Sequence, residues 1–152
     1  MLKQSIDKIK KRSNNLILIT GPSGSGKTKF LQDISTKEKY PYINLNFELS
    51  KRLHDFPEEK RKLDNSVSDL INEQHSDIII FDNSEIFFAK ELCINPLQLL
   101  KSQNRKKIIV MAWNGFYDGE NLTYAKPGDE EFQKFSKDDL DGVEIVKMSD
   151  LR

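Results

Sequence analysis

Several residue types are scarce in this sequence, and their scarcity excludes whole classes of protein. Cys93 is the one cysteine among 152 residues, so no intramolecular disulfide can form and a reducing compartment is expected. His54 and His75 have no cysteine or histidine neighbours at metal-ligand spacing, so no zinc site is predicted. No apolar run approaches the roughly 18 to 20 residues that span a bilayer, and the basic N-terminus is not followed by the apolar stretch of a signal peptide. We expect a cytoplasmic protein without membrane partners.

Net charge is also absent, because 24 lysines and arginines balance 24 acids. No overall field therefore favours nucleic acid or an anionic membrane. The distribution is uneven, with five bases and one acid in residues 1–12, and ten acids and four lysines in residues 118–150. This asymmetry either orients a partner or a neighbouring copy, or reflects two solvated faces. Nucleic-acid contact through residues 1–12 stays open, without other support in the sequence.

A phosphate-binding motif follows the apolar run at residues 16–19. Residues 21–28 read Gly-Pro-Ser-Gly-Ser-Gly-Lys-Thr, a complete G-x-x-x-x-G-K-[ST] pattern. The alternative is a Gly/Ser linker that matches the pattern by chance, but a linker is not expected between a strand pattern and a helix pattern. Glycines at 21, 24 and 26 suit the positive φ angles of a phosphate nest. Lys27 supplies charge to the β and γ phosphates, and the Thr28 hydroxyl can ligate Mg²⁺. We predict ATP and Mg²⁺ as ligands, contacted by Gly21, Pro22, Ser23, Gly24, Ser25, Gly26, Lys27, Thr28 and Lys29.

Strand and helix patterns alternate along the chain, which predicts one α/β domain over residues 1–152. Five strands are expected, at residues 16–20, 42–46, 78–82, 107–113 and 143–148. Helical patterns occupy residues 1–13, 27–35, 48–75 with a break at Pro57, 85–103 with a break at Asn95-Pro96, and 129–135. A hairpin insertion is expected at residues 116–128. The predicted fold is a three-layer P-loop NTPase of the additional-strand (ASCE, AAA+-like) type, with a mainly parallel sheet and no helical lid domain.

Asp82 ends the third predicted strand, 55 residues after Lys27 (82 − 27 = 55). A buried parallel strand can deliver this carboxylate beside the phosphate loop, as a Walker B acid that shares Mg²⁺ with Thr28. The alternative is an acid that only caps a strand end. Asn114 follows the fourth strand, where a short amide could contact the γ-phosphate or the attacking water, as does the sensor-1 asparagine of AAA+ ATPases. An ordinary Asn-Gly turn with Gly115 is an equal alternative.

The set of residues needed for hydrolysis is incomplete. Asn83 stands directly after the acid, where many ATPases of the additional-strand class carry glutamate. An amide can orient water but cannot accept its proton, so turnover would be slow, would depend on a partner, or would use Glu85. Glu85 can equally be the first-turn acid of a helix, stabilised there by the helix dipole. None of the five arginines has the setting of an arginine finger.

The phosphate loop, residues 78–83, the tripeptide Trp113-Asn114-Gly115 and the tract Leu-Thr-Tyr-Ala-Lys-Pro-Gly at residues 122–128 together resemble the BrxF family. These are small P-loop proteins of type 3 BREX bacteriophage-exclusion systems, and the similarity spans nearly the whole chain. The resemblance implies an AAA+-like nucleotide-binding subunit of a bacterial antiphage assembly that includes large ATPase, methyltransferase and phosphatase-like components. By the same analogy, a homo-oligomer is expected.

The hypothesis from sequence is therefore a Mg²⁺-dependent ATP-binding protein, a weak or partner-stimulated ATPase. Two alternatives stay open. One is a nucleoside or nucleotide kinase, because the loop also resembles that of guanylate kinases, although Lys126 is the one base between residues 118 and 131. The other is a non-hydrolysing interaction module that ATP stabilises, which Asn83 favours.

Overall fold

The computed structural model describes residues 2–12, 15–54, 60–89, 92, 94–103 and 106–151, with residues 54 and 60–62 described by their backbone alone. The helices are α1 Leu2–Arg12, α2 Lys27–Glu38, α3 Leu45–His54, α4 Lys60–Asn72, α5 Pro96–Lys101, and two 3₁₀ helices, Glu85–Phe88 and Met148–Asp150. The strands are β1 Leu16–Gly21, β2 Tyr42–Asn44, β3 Ile78–Asp82, β4 Ile108–Tyr117, β5 Leu122–Tyr124, β6 Gln133–Phe135 and β7 Val143–Lys147.

Five of the strands form a sheet in the order β2-β3-β4-β1-β7. Each pair of neighbours in this order is parallel. The sequence explains the arrangement, because β1 and β3 are apolar and buried along their whole length, as strands covered on both faces must be. The α/β class and the five expected strands are therefore confirmed.

The sheet separates two apolar cores. Successive side chains of a strand point to opposite faces, so Leu16 and Leu18 of β1 join one core, and Ile17 and Ile19 join the other. Side chains of α1 and α2 complete the core around Ile17, and side chains of α3, α4 and α5 complete the core around Leu16. Helices thus cover both faces of the sheet, which agrees with the expected layered arrangement.

The N-terminal amphipathic helix is confirmed as α1. Its apolar stripe of Leu2, Ile6 and Ile9 is buried, while its lysines are exposed. The spacing of these three residues places them on one face of a helix, and that face packs on β1 and β7. The predicted break at Asn95-Pro96 is also confirmed, because the Asn95 side chain caps α5 by accepting hydrogen bonds from two backbone N–H groups.

The second strand is shorter than predicted. Residues 45 and 46 belong to α3 rather than to β2, and the Asn44 side chain caps the new helix by accepting a hydrogen bond from the Phe47 N–H. This cap explains the correction, since asparagine satisfies a free N–H at a helix start. The predicted helical segment 48–75 covers α4 and all of α3 except its first three residues. Pro57, where the break was placed, lies outside the described residues, as does Cys93.

The hairpin is confirmed and is larger than predicted. β4 continues beyond the expected end at residue 113 as far as Tyr117, and its last three residues pair antiparallel with β5. Asn114-Gly115 is therefore not a turn. Gly115 is needed inside the strand because a Cβ there would lie 1.8 Å from the carbonyl oxygen of Thr123. The close contact between the two strands accounts for a glycine that resembles a turn residue in the sequence.

A third hairpin strand replaces a predicted helix. Residues 129–135 were expected to be helical, but residues 133–135 form β6, which pairs antiparallel with β5. Phe135 is buried and its ring packs against that of Trp113 at a centroid distance of 5.5 Å. This tertiary contact outweighs the local helical pattern of residues 129–135. The strand pairing that belongs to the insertion therefore ends at residue 135, not at 128.

Trp113 anchors the hairpin to the rest of the domain. It is fully buried, and its indole N–H donates to the Thr123 carbonyl at 2.9 Å. The ring meets Phe88 and Tyr124 edge-on, and these two rings stack on each other with centroids 3.4 Å apart. Phe88 belongs to the 3₁₀ helix Glu85–Phe88, so aromatic packing joins this helix to the hairpin.

In the described part of the chain, no helix has the length and apolar character needed to cross a bilayer.

Candidate functional site

The phosphate loop connects the end of β1 to the start of α2. Gly24 and Gly26 have φ angles of 81° and 94°, as predicted for a phosphate nest. Gly21 was expected to share this property and does not; it is instead constrained by space, because a Cβ would lie 2.7 Å from the Ser25 hydroxyl. A backbone hydrogen bond of 3.1 Å from Ser25 to Pro22 closes the turn. The loop therefore carries its backbone N–H groups to the N-terminus of α2.

Lys27 lies within this loop and is only 5% exposed. Its ammonium donates to the carbonyls of Gly21 at 2.8 Å and Pro22 at 2.7 Å, and to the Ser25 hydroxyl at 3.3 Å. Burial lowers the pKa of Lys27 below its usual value, while the negative charges of Asp82 and Glu85 oppose this effect. The hydrogen bonds to Gly21, Pro22 and Ser25 hold the Lys27 ammonium within the loop.

The structure brings Thr28 and Asp82 together, although 54 residues separate them. The Thr28 hydroxyl donates to Oδ2 of Asp82 at 2.7 Å, and the Asp82 side chain is 3% exposed. The buried β3 carries the acid to this place, and the first turn of α2 carries the hydroxyl. Two oxygen atoms that could act as metal ligands thus lie next to each other beside the loop.

Tyr42 is a third member of this group, and the sequence interpretation missed it. Its hydroxyl also donates to Oδ2 of Asp82. β2 and β3 are neighbours in register, with Tyr42 opposite Ile80, so the tyrosine ring reaches the end of β3. Burial raises the pKa of Tyr42, and its hydrogen bond to Asp82 raises the pKa further. The tyrosine is therefore a hydrogen-bond donor that fixes the orientation of the carboxylate.

Asn83 is held mainly through its backbone. Its φ angle is 55°, in the left-handed region that asparagine tolerates better than most residues. Its N–H donates to Oδ1 of Asp82 at 2.9 Å, and its carbonyl accepts the Asn46 N–H at 3.0 Å. The residue in the usual glutamate position therefore turns the chain sharply after β3 and supports the acid.

Glu85 is the first residue of a 3₁₀ helix, and its carboxylate is held from two sides. The Asn46 amide donates to it at 2.6 Å, and the Asn114 amide approaches at 3.5 Å. Asn46 also accepts the N–H of Ile86 at 2.8 Å, so one side chain both caps this helix and orients the acid. Sequence analysis predicted Glu85 and Asn114 but missed Asn46, because only the fold brings residue 46 to this helix.

These groups enclose a cavity of about 310 Å³ at the carboxyl edge of the sheet. Its lining consists of Ser23, Gly24, Gly26, Lys27, Thr28, Asp82, Asn83, Ser84, Glu85, Ala112 and Asn114. The cavity therefore unites all five predicted catalytic residues, which are Lys27, Asp82, Asn83, Glu85 and Asn114, with five of the nine predicted nucleotide contacts. Four predicted nucleotide contacts are absent from the lining: Gly21 and Pro22 hold Lys27 through their carbonyls, Ser25 closes the turn, and Lys29 is exposed on α2.

The oxygen donors of the cavity suit Mg²⁺. This cation is usually bound by one or two carboxylates together with water and substrate phosphates. Thr28 and Asp82 supply such a partial set, and among the described residues no group of three or more His, Cys, Asp or Glu side chains is arranged to hold a metal. A magnesium ion here would need further oxygen ligands, and phosphate would provide them.

The sequence matches none of the known protein families against which it was compared, and a search of curated proteins finds no match either. The chemistry of the cavity therefore has to carry the functional assignment.

We expect Tyr42 and Asp82 to be energetically coupled. In a double-mutant cycle with Tyr42→Phe and Asp82→Ala, the interaction should contribute about 1.5 to 3 kcal/mol to the free energy of unfolding, as hydrogen bonds to charged groups do. Chemical denaturation of the four proteins measures it.

Tyr40→Phe is the matched control for this cycle. Tyr40 precedes the first residue of β2, whereas Asp82 lies opposite the last residue of that strand. Its effect should add to that of Asp82→Ala within about 0.5 kcal/mol. Additive effects of Tyr42→Phe and Asp82→Ala would contradict a stabilising hydrogen bond between Tyr42 and Asp82.

Proposed function

We propose that this chain binds ATP with Mg²⁺ in the 310 Å³ cavity and hydrolyses it slowly or with the help of a partner. The observation that carries the proposal is the 2.7 Å hydrogen bond between Thr28 and Asp82 directly beside the glycine-rich loop. A hydroxyl at a helix start, a buried carboxylate and a loop with two positive-φ glycines form the set that a phosphate-bound magnesium requires.

The strand order supports a P-loop NTPase of the additional-strand class. β4 lies between β1, which leads into the loop, and β3, which ends in Asp82. An extra strand between the loop strand and the acid strand is the feature for which this class is named. In this fold β4 also brings Asn114 opposite Gly21, so the amide of the sensor-like asparagine is beside the loop.

Each residue of the cavity has a defined task in this proposal. Backbone N–H groups of the loop bind the phosphates, and Lys27, released from the carbonyls of Gly21 and Pro22, adds its charge. Thr28 and Asp82 would hold the cation, which when bound neutralises charge on the β and γ phosphates. Tyr42 keeps Oδ2 of Asp82 oriented.

Glu85 is the residue we assign to the attacking water. Its carboxylate lines the cavity, and Asn46 and Asn114 hold it there through their amides. A carboxylate can accept a proton that the amide of Asn83 cannot. Among the described residues that line the cavity, Lys27 is the one cation, so charge on the γ-phosphate is only partly neutralised. Slow intrinsic turnover is the expected consequence.

We further propose that the nucleotide controls assembly, with other copies of this chain and with components of a BREX antiphage system. The resemblance of residues 21–28, 78–83, 113–115 and 122–128 to the BrxF family is the support for this part. A neighbouring subunit or partner could supply the cation that the cavity lacks within its described lining. A cytoplasmic location accompanies this proposal.

Replacing Lys27 with alanine should weaken ATP binding. Loss of a buried charged partner costs about 2 kcal/mol or more, which corresponds to roughly a 30-fold rise in Kd measured by calorimetry with Mg²⁺. Lys37→Ala, at an exposed lysine of the same helix, is the matched control and should bind normally. Equal affinity of wild type and Lys27→Ala would remove the basis of the assignment.

Replacing Glu85 with glutamine should separate turnover from binding. We expect phosphate release to fall by about 100-fold or more while the Kd for ATP stays within a few-fold, because general-base catalysis contributes on this scale. Asn83→Gly, which keeps the positive φ, is the control and should retain turnover. Loss of turnover in Asn83→Gly but not in Glu85→Gln would show that Asn83, not Glu85, orients the attacking water. Absence of turnover in the wild type, alone and with partners, would favour the non-hydrolysing interaction module.

Solution mass should depend on the nucleotide if assembly is under its control. We expect light scattering to report a larger species for the wild type with ATP and Mg²⁺ than without, and the same larger species for Glu85→Gln. Lys27→Ala should stay at the smaller mass under both conditions. A mass that ATP does not change, with saturated binding shown in parallel, would contradict nucleotide-controlled self-assembly.

A further inference from the structure

A second cavity lies far from the phosphate loop, where α1, α2 and the 3₁₀ helix Met148–Asp150 meet. It has a volume of about 360 Å³, and we call it the α1/α2 groove. Its apolar lining consists of Leu2, Ile6, Phe30, Ile34, Tyr40 and Leu151. The last four are only partly buried, so apolar surface stays accessible in the groove. A cavity of about 150 Å³ holds a benzene molecule, so the groove has room for a phenylalanine side chain.

Four charged residues also line the groove, and they include both signs. Lys3 and Lys37 are basic, and Glu38 and Asp150 are acidic. All four are exposed, and none of them forms an ion pair with another residue that the structure describes. A partner that carries one charge of each sign beside an apolar group would therefore find an opposite charge for both.

Phe47 of α3 combines the groups that complement this groove. Its side chain is 61% exposed, and Phe116, at 53%, is the other exposed large apolar side chain in the described part of the chain. The Lys51 ammonium lies 5.2 Å from the centroid of the Phe47 ring and 3.8 Å from the carboxylate of Glu48. An aromatic ring with one base and one acid beside it thus projects from α3.

We propose that Phe47 of one copy of this chain inserts into the α1/α2 groove of a second copy. This inference rests on the proposed nucleotide-controlled self-assembly, for which it names the two contacting surfaces. Insertion of the ring would bring Glu48 and Lys51 to the charged edge of the groove and remove part of their hydration. Both signs of charge are present there, so each of the two side chains gains an opposite charge that offsets this cost.

The two surfaces lie on opposite faces of the sheet. Side chains of α3 belong to the core around Leu16, whereas those of α1 and α2 belong to the core around Ile17. Phe47 therefore cannot reach the groove of its own molecule, and a single neighbour cannot cover both faces at once. Each copy must use Phe47 with one neighbour and the groove with another, which is a heterologous contact that builds rings or filaments.

Both surfaces belong to elements that also hold residues of the proposed nucleotide site. Phe47 directly follows Asn46, whose amide donates to Glu85 at 2.6 Å. α2 begins at Lys27 beside the phosphate loop, and its last turn carries Lys37 to the groove. A ligand that shifts α2 or the Asn46 side chain would therefore change one half of the interface. This connection is the physical reason to expect assembly to follow the nucleotide.

Removal of the ring should prevent assembly and leave nucleotide binding intact. Light scattering with ATP and Mg²⁺ compares wild type, Phe47→Ala and Phe116→Ala over a range of protein concentrations. For Phe47→Ala we expect the larger species to need at least about 30-fold more protein, as the loss of an interface hot spot requires. Phe116→Ala is the matched control, since it removes the other exposed phenylalanine, and it should assemble like the wild type.

A blocked groove provides the complementary variant. Leu151→Lys places a charge in the apolar lining and should also prevent self-assembly, and Ile34→Lys is a second variant with the same expected effect. An equimolar mixture of Phe47→Ala with either groove variant contains one intact pair of surfaces, a groove on the first protein and Phe47 on the second. With ATP and Mg²⁺ the mixture should form a one-to-one complex that grows no further.

ATP titrations of each variant identify those that are folded, because a folded variant should bind within a few-fold of the wild-type Kd. Assembly of Phe47→Ala at wild-type concentrations, or no one-to-one complex in mixtures of variants that bind ATP, would overturn this inference alone. A wild type that binds ATP without a change in mass would overturn the proposed self-assembly and this inference with it. A wild type that does not bind ATP would overturn the proposed function itself.

Discussion

The parallel alignment of β3, β4 and β1 is the constraint on which the site depends. Strands in register end at the same edge of the sheet, so Phe81, next to Asp82, lies opposite Met111, and Gly21 lies opposite Asn114. Because these strands are buried on both faces, a shift by one residue would exchange the two cores and is strongly disfavoured. The register therefore holds Thr28 within hydrogen-bonding distance of Asp82.

Sequence patterns predicted those features that are encoded locally. The loop, the two buried strands and Asp82 each occupy a continuous stretch with a characteristic pattern of residues. Tyr42 and Asn46 were missed because their roles arise from the pairing of β2 with β3 and from the position of the 3₁₀ helix, which distant residues determine. Gly115 was ambiguous for the same reason, since only the approach of β5 distinguishes a strand glycine from a turn glycine.

The hairpin and the proposed water-binding group form one packed unit. Tyr124 of β5 stacks on Phe88, and Phe88 lies three residues after Glu85 in a helix of only four residues. Trp113 contacts both rings and lies directly before Asn114, whose amide approaches Glu85. Displacement of the hairpin would thus move both the helix of Glu85 and the strand of Asn114. A partner that displaced the hairpin on binding would therefore change the positions of Glu85 and Asn114 in the cavity.

The backbone at residue 83 explains why a glutamate is not found there. A φ angle of 55° is tolerated by asparagine and is unfavourable for glutamate, whose longer side chain gains nothing from local hydrogen bonding. The sharp turn directs the chain back so that the Asn83 N–H supports Asp82 and its carbonyl binds Asn46. Asn46 in turn holds Glu85. The turn that disfavours glutamate at residue 83 therefore creates the contacts that orient the carboxylate of Glu85.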